Sequence, residues 1–321
     1  MTYLTRAVAF APGSIGNIGP GLDVLGAAVT GPGDTVRAEW IDAPGIVLTH
    51  SGHPELPLDA SRHSSGVAAM AVVRCATALG LTTPSNGIAL AVTKGLPLSA
   101  GQGGSAASAV AGAAAVNALL GSPLDTAALL TACLAAEEVV SGRHLDNIAP
   151  SLLGGVAIVR SLDPIDVVSL PVPAGLRVVL AHPNQRMRTS YARAVLPAEV
   201  GRAVALHQMA QVAALVAALH SGDLQLLGRA IDDRIAEPVR APLLPGFLAA
   251  KRAALAAGAL GASISGAGPT AFAFCDGDES AEAVALAMGA AYASDGIEAT
   301  VRVARIDTTG VRLECFREEK V

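Results

Sequence analysis

The stretch from Lys94 to Asn117, KGLPLSAGQGGSAASAVAGAAAVN, sets a glycine-rich loop directly before a run of very small residues. Glycines at Gly101, Gly103 and Gly104 permit φ > 0 and let successive N–H groups converge on an anion, and a helix starting there adds its positive N-terminal end. That is the chemistry of a phosphate cradle, with the Ser105 hydroxyl beside the bound phosphates. It is not a Walker loop: GxxxxGK[ST] needs a lysine, and the lysines of this chain are Lys94, Lys251 and Lys320. Nor does a GxGxxG dinucleotide fingerprint occur in it. A Gly/Ala-rich loop and helix packed closely against another element would have the same composition, so the rest of the chain must decide.

Three further groups of residues have chemistry of their own. Asn17 and Asp23, six apart in PGSIGNIGPGLDVLG, offer an amide and a carboxylate to a small polar ligand with an amine and a hydroxyl; turn chemistry is their other common use. Leu130, Cys133, Leu134 and Glu137 follow i, i+3, i+4, i+7, so Glu137 lies on an apolar stripe while Glu138 is turned roughly 100° away. A carboxylate on a buried stripe needs a partner, and a buried arginine is one candidate. His144, Asp146 and Asn147 stand together in HLDN, but no GxSxG elbow accompanies them to make a Ser/His/Asp hydrolase. The seven histidines show no HExxH or paired spacing, which argues against a transition-metal site held by the protein.

The elements that must position these groups follow from periodicity. Strands are expected at Thr5–Phe10, Val36–Trp40, Ile46–Thr49 and Gly87–Thr93, the last feeding the cradle, with a helix from Ser64 to Leu79 closed by Gly80. Between the first two strands, the density of glycine and proline implies a shaped loop. Ser122 as N-cap, Pro123 in the first turn and Asp125 at N3 predict a helix running to about Val140. A strand is expected at Gly155–Arg160, and the polar, proline-marked stretch Ser161–Gly175 is the expected domain boundary. Beyond it come a strand at Leu176–His182, helices near Ala198–His220, Leu224–Ile235 and Gly246–Gly258, two strands around Ser265–Thr270, a helix, and a strand at Ala299–Ile306. This order is α+β with mostly antiparallel strands.

With 321 residues, 52% hydrophobic and 15% charged, the chain has material for two buried cores, expected as domains 1–165 and 166–321. A net charge of −5 with no Lys/Arg run argues against nucleic acid and against an anionic membrane as partners. No uninterrupted apolar stretch reaches bilayer length and the start does not read as a signal peptide, so the cytoplasm is the expected location. Cys75, Cys133, Cys275 and Cys315 show no CxxC spacing and read as reduced core thiols.

Taken together, these segments resemble the galactokinase, homoserine kinase, mevalonate kinase and phosphomevalonate kinase (GHMP) superfamily, and within it the homoserine kinase branch. The superfamily's loop, Pro-x-x-x-Gly-Leu-Gly-Ser-Ser-Ala, is matched by Pro97, Gly101, Gly103, Ser105 and Ala106. PGSIGNIGPGLDVLG from Pro12, SGRHLDNIAPSLLGG from Ser141, TSYARAVLP from Thr189 and EPVRAPLLPG from Glu237 match the branch, and SGAGPT from Ser265 matches the superfamily's third motif. These matches span the chain in the expected order. The resemblance implies an N-terminal domain like ribosomal protein S5 domain 2 and a ferredoxin-like C-terminal domain, with ATP and L-homoserine in the cleft between them.

Carried over residue by residue, the resemblance assigns ATP to Pro97, Leu98, Ser99, Ala100, Gly101, Gln102, Gly103, Gly104, Ser105 and Ala106, and Mg²⁺ to Ser105 and Glu137. Homoserine falls to Asn17, Asp23, His144, Asp146, Thr189, Arg193, Arg240 and Gly268, with forked arginine donors for its carboxylate and Asp23 for its ammonium group. Asn147 occupies the place where mevalonate kinase is thought to have an aspartate base, leaving Asp23 and Asp146 as carboxylates that could assist. A homodimer is also implied. The expected activity is homoserine kinase, in threonine biosynthesis; kinases of mevalonate, shikimate or a sugar, and a nucleotide-binding regulatory homologue without turnover, are the alternatives. Position 102 is Gln where the superfamily has Leu, position 104 is Gly where it has the first of two serines, and Arg62–Gly66 lacks the Asn expected in an adenine pocket. Gln102 is expected to face the cleft or solvent, because a buried amide needs a partner.

Overall fold

The computed structural model describes residues 2–80, 86–140 and 142–319, so Ser141 at the head of the SGRHLDN motif lies outside the described residues. The first half of the chain runs β1 (Thr2–Gly16), β2 (Leu25–Ile41), β3 (Ile46–His50), α1 (Ser64–Ala78), β4 (Gly87–Thr93), α2 (Gly104–Leu119), α3 (Thr126–Val140), α4 (Ile148–Leu153), β5 (Val156–Leu162) and β6 (Ile165–Leu170). The second runs β7 (Leu176–Pro183), α5 (Thr189–Ala194), α6 (Arg202–Ser221), α7 (Leu224–Arg229), α8 (Glu237–Arg240), α9 (Phe247–Ala256), β8 (Gly261–Ile264), β9 (Ala271–Asp276), α10 (Gly277–Ser294), β10 (Ala299–Ala304) and β11 (Arg312–Glu319).

Two sheets result. The larger is ordered β11-β1-β2-β4-β3, with β5 pairing β2 and β6; the smaller is β10-β7-β9-β8. Only β3 and β4 pair in parallel among the described strands. In the smaller sheet, counting its own strands in chain order, the spatial order is 4-1-3-2 on a β-α-β-β-α-β path, which is the ferredoxin-like arrangement. The sheets do not divide at residues 165 and 166. β6 completes a hairpin with β5, and β11 returns from the end of the chain to pair with β1, so both belong to the larger sheet.

Several local differences from the sequence expectation have physical causes. β1 and β2 are 15 and 17 residues long, so much of the glycine- and proline-rich segment is paired backbone rather than loop. Helix α3 starts at Thr126: the Asp125 carboxylate accepts from Ala128 N at 2.9 Å and is the cap, whereas Ser122 sits at φ 60° in the preceding turn. The helix expected to reach Ile235 stops at Arg229, because Asp233 draws the following backbone into a turn by accepting from Ile235 N and Glu237 N, both at 2.8 Å. Among the cysteines, Cys133 and Cys275 are buried, but Cys75 is half-buried and Cys315 is exposed on the edge strand β11; all four are free thiols.

The small residues of α2 have a packing reason as well as the one inferred from its start. Every residue from Ala106 to Leu119 is buried, and a Cβ on Gly112 would lie 2.7 Å from the Ser65 carbonyl oxygen on α1. The two helices therefore sit against each other with no room for larger side chains. A separate core joins the sheets: Ile15, Ile18 and Leu25 from the first half pack with Val178, Leu180 and Phe272 of the second. Among the described residues α6 alone has the length and apolar composition to cross a bilayer, and its Leu215, Ala218 and Leu219 are buried in this joint core.

Candidate active site

A cavity of about 260 Å³ opens between the two sheets at the start of α2. Its floor is the glycine-rich loop. Gly103 is the N-cap of α2 at φ 70°, a conformation that an L side chain rarely adopts, and a Cβ there would overlap the Ser14 hydroxyl. Gly101, at φ 73°, faces the other half of the molecule: a Cβ would collide with the Ser265 carbonyl and lie 2.7 Å from that of Gly268.

The loop's carbonyls are tied to the protein. Met187 N donates to Ser99 O at 3.1 Å, Thr270 N to Ala100 O at 3.2 Å, Ser265 Oγ to Gly101 O at 2.6 Å, and Ser14 N to Gln102 O at 3.1 Å. Oxygens that would repel phosphate are thereby held away, while the first-turn N–H groups of α2 have no intrahelical acceptor and Gly103, Gly104 and Ser105 line the cavity. The cradle fits a polyphosphate.

Behind the loop lies a network that the sequence did not reveal. Asp34 on β2 is fully buried and accepts from Lys94 Nζ, from Ser108 Oγ at 2.6 Å, and from the backbone of Gly95 and Leu96 at 3.1 and 3.3 Å. Lys94 Nζ also donates to Gly104 O at 2.9 Å and to Ser108 Oγ at 3.0 Å. The pair fixes the end of β4 against the first turn of α2. A lone lysine placed just before the loop was the available signal, but its partner is 60 residues away.

Glu137 is buried at 3% exposure and lines the cavity, as its helical phase implied, whereas Glu138 is exposed and pairs with Arg143 at 3.2 Å. Ser105 Oγ lies 3.4 and 3.3 Å from the two Glu137 carboxylate oxygens. A hydroxyl and a carboxylate beside a phosphate cradle form an oxygen donor set of the kind that Mg²⁺ takes. His144, also buried, stands between two carboxylates: Nε2 is 3.6 Å from Glu137 Oε1 and Nδ1 is 3.1 Å from Asp146 Oδ1. Burial alone would push its pKa down, but the hydrogen bond and charge of Asp146, with Glu137, carry it above the ordinary histidine value.

Asp146 is engaged by its neighbours at both oxygens. Oδ2 accepts from Asn17 N at 3.1 Å, and Oδ1 meets His144 and, at 3.4 Å, Asn147 Nδ2. Ser14 Oγ donates to Asn147 Oδ1 at 3.0 Å, so the Asn147 amide is oriented from both ends. Although Asp23, His144 and Asp146 present atoms within 4.8 Å of one another, these hydrogen bonds already engage two of the three.

The far wall holds the cations. Arg193 and Thr189 lie on α5, half-buried, and Arg193 donates to Asp23 Oδ2 and Oδ1 at 3.0 and 2.7 Å. Arg240, 3% exposed, donates to the carbonyls of Ala192 and Gly266 at 3.1 and 2.9 Å. Burial, and then the neighbouring Arg193 charge, lower its pKa from the ordinary arginine value. Asn17 adds a donor to Gly266 O at 3.0 Å and accepts from Asp23 N at 3.1 Å, with Asn17, Ile18 and Asp23 all at positive φ.

All the sequence-derived site residues except Gln102, Ala106 and Gly268 line this cavity. Ala106 is fully buried on the core side of α2, and Gly266 and Ala267, not Gly268, form the wall in the third motif. Gln102 faces neither cleft nor solvent: it is 6% exposed, and Nε2 donates to Thr270 Oγ1 at 3.3 Å. Arg62, His63 and Ser64, from the stretch that lacks the expected adenine-pocket Asn, also line the cavity, as do Leu56 and Pro57, which no motif marked in the sequence.

Two family models match this chain, GHMP kinases N terminal domain over residues 64–155 and GHMP kinases C terminal over residues 215–294. It is 42% identical over 291 residues to a homoserine kinase of Chlorobium phaeobacteroides, covering 88% of this chain and 91% of that one. The chain belongs to the homoserine kinase branch of the GHMP kinases. A homoserine kinase of Arabidopsis thaliana is 42% identical over 316 residues, covering 95% of this GHMP kinase and 83% of the plant protein. The crystal structure of homoserine kinase from Cytophaga hutchinsonii superposes with a TM-score of 0.90 at 39% identity, covering 96% and 97% of the two chains. ATP use follows from membership of the family.

Proposed function

We propose that this chain is an ATP- and Mg²⁺-dependent homoserine kinase acting in threonine biosynthesis in the cytoplasm. The observation that carries the reading is the convergence, in one cavity with the phosphate cradle, of two arginines with a carboxylate and an amide, Arg193 and Arg240 with Asp23 and Asn17. An amino acid bearing a hydroxyl is the ligand that uses all four. Its carboxylate takes the forked donors of the arginines, its ammonium group takes Asp23 with Asn17, and Thr189 adds a hydroxyl one helical turn before Arg193.

ATP lies on the loop from Pro97 to Ala106, its phosphates toward the start of α2. Ser105 and Glu137 would hold Mg²⁺, which when bound neutralises charge on the phosphate oxygens. The substrate hydroxyl oxygen bonds to the γ-phosphorus as the bond to the ADP oxygen breaks, giving O-phospho-L-homoserine, ADP and a proton. No strong base is required, since phosphoryl transfer depends mostly on in-line position and charge neutralisation. Asp146, with both oxygens engaged, orients His144, Asn17 and Asn147 in this scheme. Free thiols are in keeping with a reducing compartment. The homodimer implied by the resemblance belongs to the same reading, and sedimentation of the purified chain checks it.

The test is to incubate the purified protein with ATP, Mg²⁺ and L-homoserine and follow phosphorus by NMR. A new phosphomonoester signal equimolar with ADP is expected. ADP released with inorganic phosphate alone would overturn the reading.

A further inference from the structure

The nucleotide loop and the alcohol side of the cavity share one support. Three of the four donors that hold the loop's carbonyls come from the second half of the chain: Met187, Thr270 and Ser265. The turn from Ser265 to Thr270 also reaches the opposite wall, where Gly266 O accepts from Asn17 Nδ2 at 3.0 Å and from Arg240 Nη1 at 2.9 Å. A single short turn is therefore bonded to both ligand sides.

Gln102 adds the one side-chain link that departs from the superfamily's leucine. Its Nε2 is 3.3 Å from Thr270 Oγ1, which in turn is 3.1 Å from His182 Nδ1 on β7, and Thr270 is fully buried. A hydroxyl that accepts from the amide keeps its own proton to donate onward. His182 suits that role as a neutral ring protonated at Nε2, and burial lowers its pKa in that direction. The chain Gln102→Thr270→His182 thus gives every group a consistent direction. Leucine at position 102 would supply no donor.

We propose that Gln102 is a positioning residue that couples the nucleotide loop to the 265–270 turn through Thr270, so that filling the nucleotide side strengthens binding of the alcohol and the reverse. Coupling of this kind is reciprocal by thermodynamic necessity. It rests on the homoserine kinase reading only for the identity of the alcohol.

The experiment measures the affinity of a non-hydrolysable ATP analogue with Mg²⁺ by calorimetry, without and with saturating L-homoserine, for the wild type, Gln102→Leu, Thr270→Val, the double variant and Thr270→Ser. Homoserine should tighten the analogue on the wild type. Since a neutral hydrogen bond contributes about two- to tenfold in an equilibrium constant, Gln102→Leu and Thr270→Val should each lose about that factor of the tightening. The double variant should lose no more than either single one, and Thr270→Ser, which keeps the hydroxyl, should behave as the wild type. Tightening retained in Gln102→Leu, losses that add in the double variant, or a Thr270→Ser as impaired as Thr270→Val would overturn the proposal. Turnover in the same preparation separates the two readings. Homoserine phosphorylated without any tightening defeats the coupling alone. Homoserine not phosphorylated defeats the substrate reading alone, and the coupling is then read with whichever alcohol is turned over.

Discussion

Arg193 closes both terminal nitrogens on Asp23, Nη1 to Oδ2 at 3.0 Å and Nη2 to Oδ1 at 2.7 Å. The cation and the anion assigned to opposite ends of one amino acid neutralise each other across the cavity. A zwitterion satisfies both when it separates them, and an uncharged alcohol does not. Arg193→Ala should therefore weaken homoserine use by about 10- to 150-fold, the worth of a charge-assisted hydrogen bond, with apparent ATP affinity nearly unchanged. Steady-state kinetics with each substrate varied in turn checks this, and equal losses for both would mark Arg193 as structural.

Arg240→Ala should behave differently. Its guanidinium is buried and serves the carbonyls of Ala192 and Gly266, so its loss strips donors from the turn that supports the nucleotide loop. Both apparent affinities should fall, and the protein should unfold at lower denaturant. An Arg240→Ala variant with unchanged stability and unchanged ATP affinity would contradict the shared support.

Glu137→Gln should lower kcat and shift the Mg²⁺ dependence to higher concentration, because it removes the charge beside Ser105 while keeping the shape. Glu138→Gln should change little, since its partner Arg143 is about as exposed as itself and such surface pairs contribute ~0 to 1 kcal/mol. Magnesium titrations of both variants settle the order, and the reverse ranking would refute the helix phase.

The two glycines at the head of α2 should respond in opposite ways. A Cβ at Gly104 would meet Lys94 Nζ at 3.4 Å, an ordinary contact, at a backbone angle open to any residue, so Gly104→Ser should alter ATP affinity or kcat by about tenfold at most. Gly103→Ala needs the left-handed φ of 70° and overlaps Ser14, and it should lose far more than tenfold. A thousandfold gain in kcat from Gly104→Ser would show that the native cradle is degenerate.

What the sequence made legible was local or periodic. Glu137 was placed correctly because a helical repeat fixes which face a residue shares, and the resemblance supplied Ser105, 32 residues away, as its neighbour. Asp34 was missed because GPGD has the composition of a turn, while in the fold β2 bulges out of register with β1 between Ala28 and Gly33, continues, and carries Asp34 to Lys94. Gln102 was expected at the cleft on the sound ground that a buried amide needs a partner; that partner, Thr270, is 168 residues away and no periodicity could have named it. The expected boundary stretch Ser161–Gly175 contains the step from β6 to β7, but no sequence signal pointed to the return of the last strand. β11 returns across the whole chain to β1, a pairing set by the open edge of a sheet rather than by any linker composition.

The most direct measurement is kcat/KM for ADP release across L-homoserine, L-serine, L-threonine, mevalonate, shikimate and galactose under one set of conditions. The convergence of Arg193, Arg240, Asp23 and Asn17 beside the cradle predicts that L-homoserine is used best, that serine and threonine, which share its charged groups but hold the hydroxyl closer, follow far behind, and that the three alcohols without an amino group give no turnover above background. Strong turnover with mevalonate, shikimate or galactose and none with homoserine would contradict the account.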